Sequence, residues 1–197
     1  MPPKPKYTRE EITDAAVALV REKGEAALTA RELGSRLGTT STPIFTAFKN
    51  MEEVKESVLL KSKELFLKYR EEEIAKNEVP RYKAIGIGYI RFAAEEKNLF
   101  RLLFMRDRTN ESCGIDNEFD SDVLSTVEIQ TGLPDEQINI FHTEMWLFTH
   151  GIATMLATSY FSWTPEQIGI LLTDAYEAMK ARYSEKLKAA ETDAAFD

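Results

Sequence analysis

The chain has 197 residues, a formal net charge of −8 and one cysteine. This acidic balance argues against a protein that binds nucleic acid over its whole surface. The charge is uneven, however, since residues 1–50 carry a net +2 and residues 51–197 a net −10. This distribution is compatible with DNA binding through one end only. The single Cys113 cannot form an internal disulfide, no apolar run approaches the ~18–20 residues of a membrane span, and the amino terminus lacks a signal-peptide core. We therefore expect a cytoplasmic protein with no membrane partner.

Two amphipathic helices are predicted in the first 37 residues. The apolar residues of the first helix repeat at helical spacing before Gly24: Ile12, Ala15, Ala16, Leu19 and Val20. Thr29 and Glu32 form a T-x-x-E capping box at the start of the second helix. Its apolar stripe ends just before Gly38, where a left-handed residue commonly terminates a helix.

The third predicted helix follows at once and is short. Thr40 is placed to cap it, Pro43 is tolerated in its first turn, and Ile44 and Phe48 lie one turn apart on its inward face. This is the pattern of a helix-turn-helix, whose second helix enters the major groove of DNA. The residues predicted to contact DNA are Arg31, Thr40, Ser41, Thr42, Pro43, Phe45, Thr46 and Lys49.

Three further helices are predicted before residue 106. The first begins at an Asn50–Glu53 cap and runs to about Glu73. The second, from Pro80 to about Lys97, contains Gly86 and Gly88, which indicate either a close helix approach or a space left open. Residues 99–105 are almost continuously apolar and predict a short helix buried on all sides.

The remainder of the chain begins with a polar segment, residues 106–118, which fits a mobile loop or a plain surface connection equally well. Three more helices follow, over residues 119–132, from 134 to about 160, and after a cap at Thr164. The total is about nine helices, and the fold class is all-α. We expect three parts: residues 1–50 as a three-helix module, residues 51–187 as a helical bundle, and residues 188–197 as a disordered tail.

Residues 8–55 resemble the DNA-binding domain of the TetR/AcrR family of bacterial transcriptional regulators. The resemblance rests on T-x-R-E-L-x-x-x-L-G from Thr29 to Gly38, on the T-P-I-F and F-K-N segments within residues 42–50, and on E-E-V at residues 52–54. Trp146-x-x-x-His150-Gly151 resembles the signature of a WHG-type carboxy-terminal domain in one branch of that family. The resemblance implies nine helices, a homodimer and an effector pocket in the body.

The sequence departs from the family pattern at three positions in the DNA-binding region. Phe45 stands where the family usually has Tyr, Ala47 where it often has a polar residue, and Met51 where it often has Lys. Each change removes a contact to the phosphate backbone, which supplies most of the salt-dependent affinity. The basic residues that can compensate are Lys4, Lys6, Arg9, Arg31 and Lys49.

The body contains two sets of residues with predicted roles. A set that lines an effector pocket comprises Tyr89, Phe92, Phe100, Phe104, Met105, Trp146 and His150; aromatic residues at helical spacing are equally compatible with plain core packing. A set for a two-fold four-helix interface comprises Phe148, Ile152, Met155, Leu156, Leu172, Tyr176 and Met179; these residues could instead only close the core of one subunit. For individual residues both alternatives stay open.

The predicted function is a dimeric repressor that binds a pseudo-palindromic double-stranded operator and is released by a small, largely apolar effector. No nucleophile elbow, P-loop, dinucleotide turn or C-x-x-C motif is present, so the chain is not expected to be an enzyme. His142 and His150 make a poor metal site, and no cofactor is expected. The alternative is a helical-bundle carrier or sensor of a hydrophobic ligand or haem that does not bind DNA.

Overall fold

A computed structural model describes residues 7–107 and 117–194, with side chains described for 7–107 and 121–185. Several predicted features lie outside these residues: the lone thiol of Cys113, most of the polar segment 106–118, and the lysines Lys4 and Lys6.

The described chain is built from α-helices. The described residues contain nine α-helices and no β-strand, which confirms the all-α prediction. A 3-10 turn, Glu25–Ala27, follows the first helix. The helices are α1 (Arg9–Lys23), α2 (Ala30–Arg36), α3 (Thr42–Ala47), α4 (Met51–Lys76), α5 (Arg81–Glu95), α6 (Lys97–Phe104), α7 (Asn117–Thr131), α8 (Asp135–Ala157) and α9 (Pro165–Ala194).

Two helices differ from what the sequence predicted. The helix α9 continues to Ala194, where a disordered tail was expected from residue 188. The helix α6 is not buried on all sides, because its Arg101 is exposed and the following Met105 is 41% exposed. An Arg in the middle of an apolar run keeps its charged end in water while the residues on either side pack inward.

The chain divides into two compact units that do not follow the predicted boundary at residue 50. The first unit holds the described residues up to Lys68 together with Phe92–Asp107; the second holds Tyr69–Arg91 and the described residues after 116. The reason is that α6 packs on α1: Arg21 Nε lies 2.7 Å from Glu96 Oε2, and Asn98 Nδ2 donates to the Arg21 carbonyl at 3.0 Å. A return of the chain to its first helix is a long-range contact that local patterns do not reveal.

The first unit has an apolar core that joins α1, α2, α3 and α4. Its fully buried residues include Ile12, Leu19, Leu33, Ile44 and Val58. Beside them lies a cluster of rings from α4, α5 and α6. Phe66 meets Phe92 and Phe104 edge-on, at centroid distances of 5.5 and 5.3 Å. Such offset and edge-on ring pairs stabilise beyond their buried area.

The second unit has its own core, formed by α5, α7, α8 and α9. Phe141 lies at its centre with no exposed surface, and its ring meets Tyr183 edge-on at 5.7 Å. Val123 and Val127 of α7 are buried in the same cluster. In the described ranges, no helix combines the length and the apolar composition that a membrane span requires.

Candidate DNA-binding surface and ligand cavity

The turn between α2 and α3 is fixed by local hydrogen bonds. Thr29 Oγ1 accepts from the Glu32 amide at 3.2 Å, as the capping-box prediction requires. The carboxylate of Glu32 instead accepts from Lys23 Nζ at 3.1 Å, so the capping box is only half formed. Gly38 has φ +64°, which confirms the predicted left-handed residue after α2.

A second glycine, Gly34, tightens the same turn. Its amide oxygen accepts from the Thr39 amide at 2.9 Å. A Cβ added at Gly34 would lie 3.1 Å from both the Thr39 oxygen and the Thr40 carbonyl carbon, closer than nearly all real contacts. The returning chain therefore packs directly on α2 at this residue, and this sets how α3 leaves the turn.

The helix α3 presents the predicted face to solvent. Ile44 is fully buried and Phe48 is 2% exposed, which confirms the predicted inward pair. Phe45 is 46% exposed. Of the other residues in this segment that were predicted to contact DNA, Thr40, Thr42 and Thr46 are exposed, while Ser41 and Pro43 are half-buried.

The predicted cap of α3 is wrong by one residue. Ser41, and not Thr40, occupies the N-cap position, and its side chain makes no capping bond. Its backbone is already helical, with φ −71° and ψ −15°, so the hydroxyl does not point back toward the free amides. Thr46 donates to the Thr42 carbonyl at 3.1 Å, one turn earlier on the exposed face.

The guanidinium of Arg9, suggested above as a compensating phosphate contact, has three partners within the first unit. It lies 2.8 Å from Glu53 Oε1, donates to the Ala47 carbonyl at 3.1 Å, and stacks over the Phe48 ring at 4.1 Å. These contacts tie the start of α1 to the α3–α4 junction. Arg9 therefore supports the position of α3.

Several other basic residues of the first unit also form ion pairs. The pairs are Arg21–Glu96, Lys23–Glu32, Arg36–Glu22, Lys55–Glu25 and Lys61–Asp14. Arg31 is different: it is exposed in the first turn of α2 and, within the described ranges, has no side-chain hydrogen bond or ion pair. Lys49 is exposed just after α3. Arg31 and Lys49, the two basic residues predicted to contact DNA, thus carry positive charge on this face.

The second unit contains a cavity of about 500 Å³ between α5, α8 and α9. Its walls are mostly apolar or aromatic, among them Tyr82, Ile85, Met145, Trp146 and Leu172. Its polar groups include Lys83, Thr173 and Lys180. An apolar cleft of this size with a few polar side chains is the usual form of a small-molecule site.

Two tyrosine–histidine pairs lie at the cavity wall. The Tyr82 hydroxyl lies 2.9 Å from Nδ1 of His142, and the Tyr89 hydroxyl lies 2.8 Å from Nδ1 of His150. Burial, together with Tyr176, raises the pKa of Tyr82, so its phenol stays protonated beside His142. Burial lowers the pKa of His150, which favours the neutral ring as the partner of the second tyrosine.

The predicted ligand residues are divided between the two units. Tyr89 and Trp146 line the cavity. His150 is not a lining residue, but it bonds Tyr89 and stacks on Trp146 at 5.0 Å. The structure does not bring the remaining four to this cavity. Phe92 and Phe100 are fully buried in the first unit, Phe104 packs there against Phe66, and Met105 is exposed after α6.

Several cavity residues escaped the sequence analysis or were given another role. Tyr82, Gly86 and Tyr89 repeat at helical spacing on α5, and His142, Met145 and Thr149 do so on α8. These stripes are visible in the sequence, but which stripes face each other is not. Leu172 and Tyr176, predicted for a subunit interface, also line the cavity.

The two glycines of α5 have different roles, and each of the two predicted explanations applies to one of them. A Cβ at Gly86 would find ordinary contacts, with Leu172 Cδ1 at 3.6 Å and Thr149 Cγ2 at 3.9 Å. A Cβ at Gly88 would lie 2.8 Å from the Arg70 Cα and 3.0 Å from the Tyr69 carbonyl oxygen. Gly86 thus leaves space in the cavity wall, whereas Gly88 allows α4 and α5 to approach closely.

The residues predicted for a subunit interface are only partly at the surface. Ile152, Leu156 and Leu172 are 4–7% exposed and belong to the core of the chain itself, so the structure does not place them on an outer face. Phe148, Tyr176 and Met179 are half-buried, the last two against the α7–α8–α9 core. Met155 is 38% exposed.

An apolar stripe nevertheless runs along the outside of α8. Ile140 and Leu147 are 56% and 57% exposed, and Met155 continues the line two turns later. Gly151 lies between them, and a Cβ added there would meet nothing within 4 Å. The expectation that Gly151 permits close helix contact is therefore wrong within this chain.

The described side chains contain no group of three or more His, Cys, Asp or Glu residues that could hold a metal ion. The two histidines of the chain are engaged with tyrosines through Nδ1. Glu144, between them on α8, accepts instead from Arg182 Nη1 and from the Tyr183 hydroxyl, both at 3.1 Å.

Comparison with known proteins gives one family match. Residues 12–58 match the family model described as "Bacterial regulatory proteins, tetR family", which supports a DNA-binding regulatory role and covers α1 to α3 and the start of α4. No curated protein sequence matches the chain.

Solved structures that resemble the chain include two with low sequence identity. One is a candidate transcriptional regulator from Streptomyces coelicolor A3(2), with 20% identity, a TM-score of 0.45, and coverage of 94% of this chain and 98% of that one. The other is the superantigen PfiT, with 18% identity, a TM-score of 0.43, and coverage of 90% and 96%.

Proposed function

We propose that this protein is a homodimeric, ligand-responsive transcriptional repressor of the TetR type. The observation that carries the proposal is the exposed face of α3, a short helix held by a tight glycine turn inside residues that match a regulator family. A helix of this kind reads base edges in the major groove. The Trp146–His150–Gly151 resemblance to a WHG-type body remains a prediction.

Each exposed group on this face has a chemical role toward DNA. The hydroxyls of Thr40, Thr42 and Thr46 bond to base edges or phosphate oxygens, and Phe45 packs against a thymine methyl group. Arg31 and Lys49 neutralise phosphates, which gives affinity that falls with salt. Ser41 and Pro43 contribute at the edge of the contact.

Selection of duplexes from a random-sequence pool tests this assignment. The full chain is expected to enrich an inverted repeat, with half-sites about one helical turn or more apart. A Thr42→Ala variant is expected to lose discrimination at one base of each half-site. Enrichment of no sequence would contradict specific recognition, and an unchanged Thr42→Ala motif would remove Thr42 from the reading set.

The dimer is proposed to form through the outer stripe of α8, namely Ile140, Leu147, Gly151 and Met155. Exposed apolar residues at helical spacing normally mark a surface that packs against another helix. The open space at Gly151 allows a partner helix to approach closely. Phe148 lies beside the stripe and adds to the same face.

Light scattering at micromolar concentration measures this directly. The wild-type chain is expected to have the mass of a dimer, and Leu147→Glu that of a monomer, since a carboxylate would be buried without a partner. Ile129→Glu is the matched control, because Ile129 is 82% exposed and lies on α7, not on the stripe of α8, and this variant should stay dimeric. A wild-type monomer would contradict the proposal.

The effector is proposed to bind in the cavity of the second unit and to lower DNA affinity by a shift of population. It must bind more tightly to the conformation that does not bind DNA, and couplings of ~1–3 kcal/mol are typical. The helix α5 provides a direct covalent path, because it lines the cavity at Tyr89 and continues to Phe92 in the first unit.

A Trp163→Phe background leaves Trp146 as the single tryptophan, so that its fluorescence reports binding in the cavity. Compounds that change this signal are expected to weaken DNA binding as well. If a broad screen changes neither the fluorescence nor the DNA affinity, the effector role is wrong. The DNA-binding assignment would then stand or fall by the duplex selection alone.

A further inference from the structure

We propose that the cavity selects an amphipathic monoanion: an apolar or aromatic body with one carboxylate-like or sulfonate-like head, bound by Lys83. The inference rests on the proposed effector role and specifies the chemical class of the effector. The charges and hydrogen bonds of the cavity wall support it.

The cavity wall is cationic in an otherwise acidic body. Residues 51–197 carry a net charge of −10, yet the wall holds two ammonium groups, Lys83 and Lys180, and one carboxylate, Glu177. Glu177 lies three residues before Lys180 on α9, hence on the same helix face. It offsets part of the charge of Lys180 and leaves Lys83 as the dominant cation.

Lys83 is half-buried and has a neutral partner. Its Nζ donates a hydrogen bond to Thr173 Oγ1 at 2.6 Å, and the Thr173 hydroxyl in turn donates one to the Gly169 carbonyl at 2.9 Å. In the part of the chain that the structure describes, no carboxylate lies within ion-pairing distance of this ammonium. An ammonium has three donors, so Lys83 retains hydrogen-bonding capacity toward a ligand in the cavity.

Neutral hydroxyls of the wall are already committed to the protein. The Thr149 hydroxyl donates to the Met145 carbonyl at 2.8 Å, and the Tyr176 hydroxyl donates to the Gln130 carbonyl at 3.4 Å. Lys180 Nζ donates to that same carbonyl at 3.3 Å. The wall therefore recognises an anion through its ammonium groups, and a charge-assisted bond of this kind is about twice as strong as a neutral one.

The rest of the cavity fits a hydrocarbon or aromatic body. Trp146 and Tyr82 offer ring surfaces, Leu172 offers an aliphatic one, and Gly86 leaves room between α5 and α8. A volume of about 500 Å³ falls within the usual range for small molecules, roughly 300–1,000 Å³. A ligand with its head at Lys83 would lie against this apolar surface.

Two fluorescent probes with the same kind of aromatic body test the inference. Anilinonaphthalene sulfonate carries one negative charge, whereas N-phenylnaphthylamine is its neutral counterpart. The full-length protein is expected to bind the anion about tenfold more tightly. Lys83→Met should remove that preference by weakening only the anion, while Lys83→Arg should keep it.

The control variants separate the head group from general effects of charge. Lys68→Met removes an exposed lysine on α4 and should leave both affinities unchanged. Gly86→Leu fills the cavity and should abolish binding of both probes. Circular dichroism of each variant shows whether it is folded, and the preference of the wild-type chain for the anion needs no variant at all.

Equal affinities for the two probes, an unchanged preference in Lys83→Met, or anion binding that survives Gly86→Leu would each overturn the inference. These outcomes are distinct from failure of the proposed function. Duplex selection that succeeds while the anion preference fails would refute the monoanion alone. An anion preference without any DNA binding would refute the regulator and leave the cavity chemistry standing.

Discussion

The close approach of α4 and α5 at Gly88 gives the sharpest test of packing in the second unit. An alanine at this position would place its Cβ 2.8 Å from the Arg70 Cα and 3.0 Å from the Tyr69 carbonyl oxygen. Both are backbone atoms, so no side-chain rotation can relieve the contact. Either α5 must move away from α4 or the substitution must be accommodated by strain.

The magnitude follows from two opposing contributions. Ala is favoured over Gly inside a helix by about 1 kcal/mol, while inserting a methyl group into a tightly packed site costs about 1–3 kcal/mol. Gly88→Ala is therefore expected to lower the free energy of unfolding by up to about 2 kcal/mol. Gly86→Ala, whose Cβ finds its nearest atom at 3.6 Å, should raise it by up to about 1 kcal/mol.

Urea denaturation of both variants, at one fixed protein concentration because dimer stability depends on concentration, measures the difference. The two glycines lie in the same helix, so the propensity contribution cancels when the variants are compared. If Gly88→Ala is as stable as Gly86→Ala, the close approach of the two helices is wrong.

Three further predictions concern the DNA surface and the cavity. Arg31→Ala should weaken DNA binding and reduce the slope of log affinity against log salt by about one. Arg36→Ala, which removes a residue paired with Glu22, should leave the slope nearly unchanged. Equal slopes for the two variants would contradict a phosphate contact by Arg31. Phe45→Ala should weaken DNA binding with little loss of stability, while Phe48→Ala, at a residue 2% exposed, should cost about 3–5 kcal/mol in urea denaturation. Burial lowers the pKa of His150, so below about pH 6.5 the unfolded chain binds more protons than the folded one. The free energy of unfolding should therefore fall as the pH is lowered through that range. His150→Gln should reduce this loss of stability, and an identical loss in the variant would refute the role of His150.

Local sequence signals predicted the amino-terminal unit well. The turn at Gly38, the cap at Thr29 and the inward pair Ile44 and Phe48 all depend on neighbours within a few residues, and the structure confirms them. The role of Arg9 could not be predicted in this way, because its partners Glu53 and the Ala47 carbonyl lie about forty residues away along the chain.

The aromatic residues of the body show why the cavity was harder to predict. Tyr89 and Phe92 lie three residues apart on one face of α5, and the sequence therefore placed them in one pocket. In the structure, the first lines the cavity and the second packs with Phe66 at 5.5 Å. Helical spacing identifies a face, but the partner of that face changes along the helix, and only long-range packing determines where.

The alternative of a ligand carrier that does not bind DNA uses the same cavity and differs only in the role of the first unit. The exposed threonines and Phe45 on α3 have no function in such a carrier. This difference makes DNA binding the property that separates the two functions.

DNA binding by α3 is measured by titrating duplex DNA from around the protein's own gene at low salt. The full chain is expected to retard this DNA, and Phe45→Ala to retard it less at equal concentration. Absence of retardation by the folded wild-type protein would contradict DNA binding and favour a ligand-binding helical bundle.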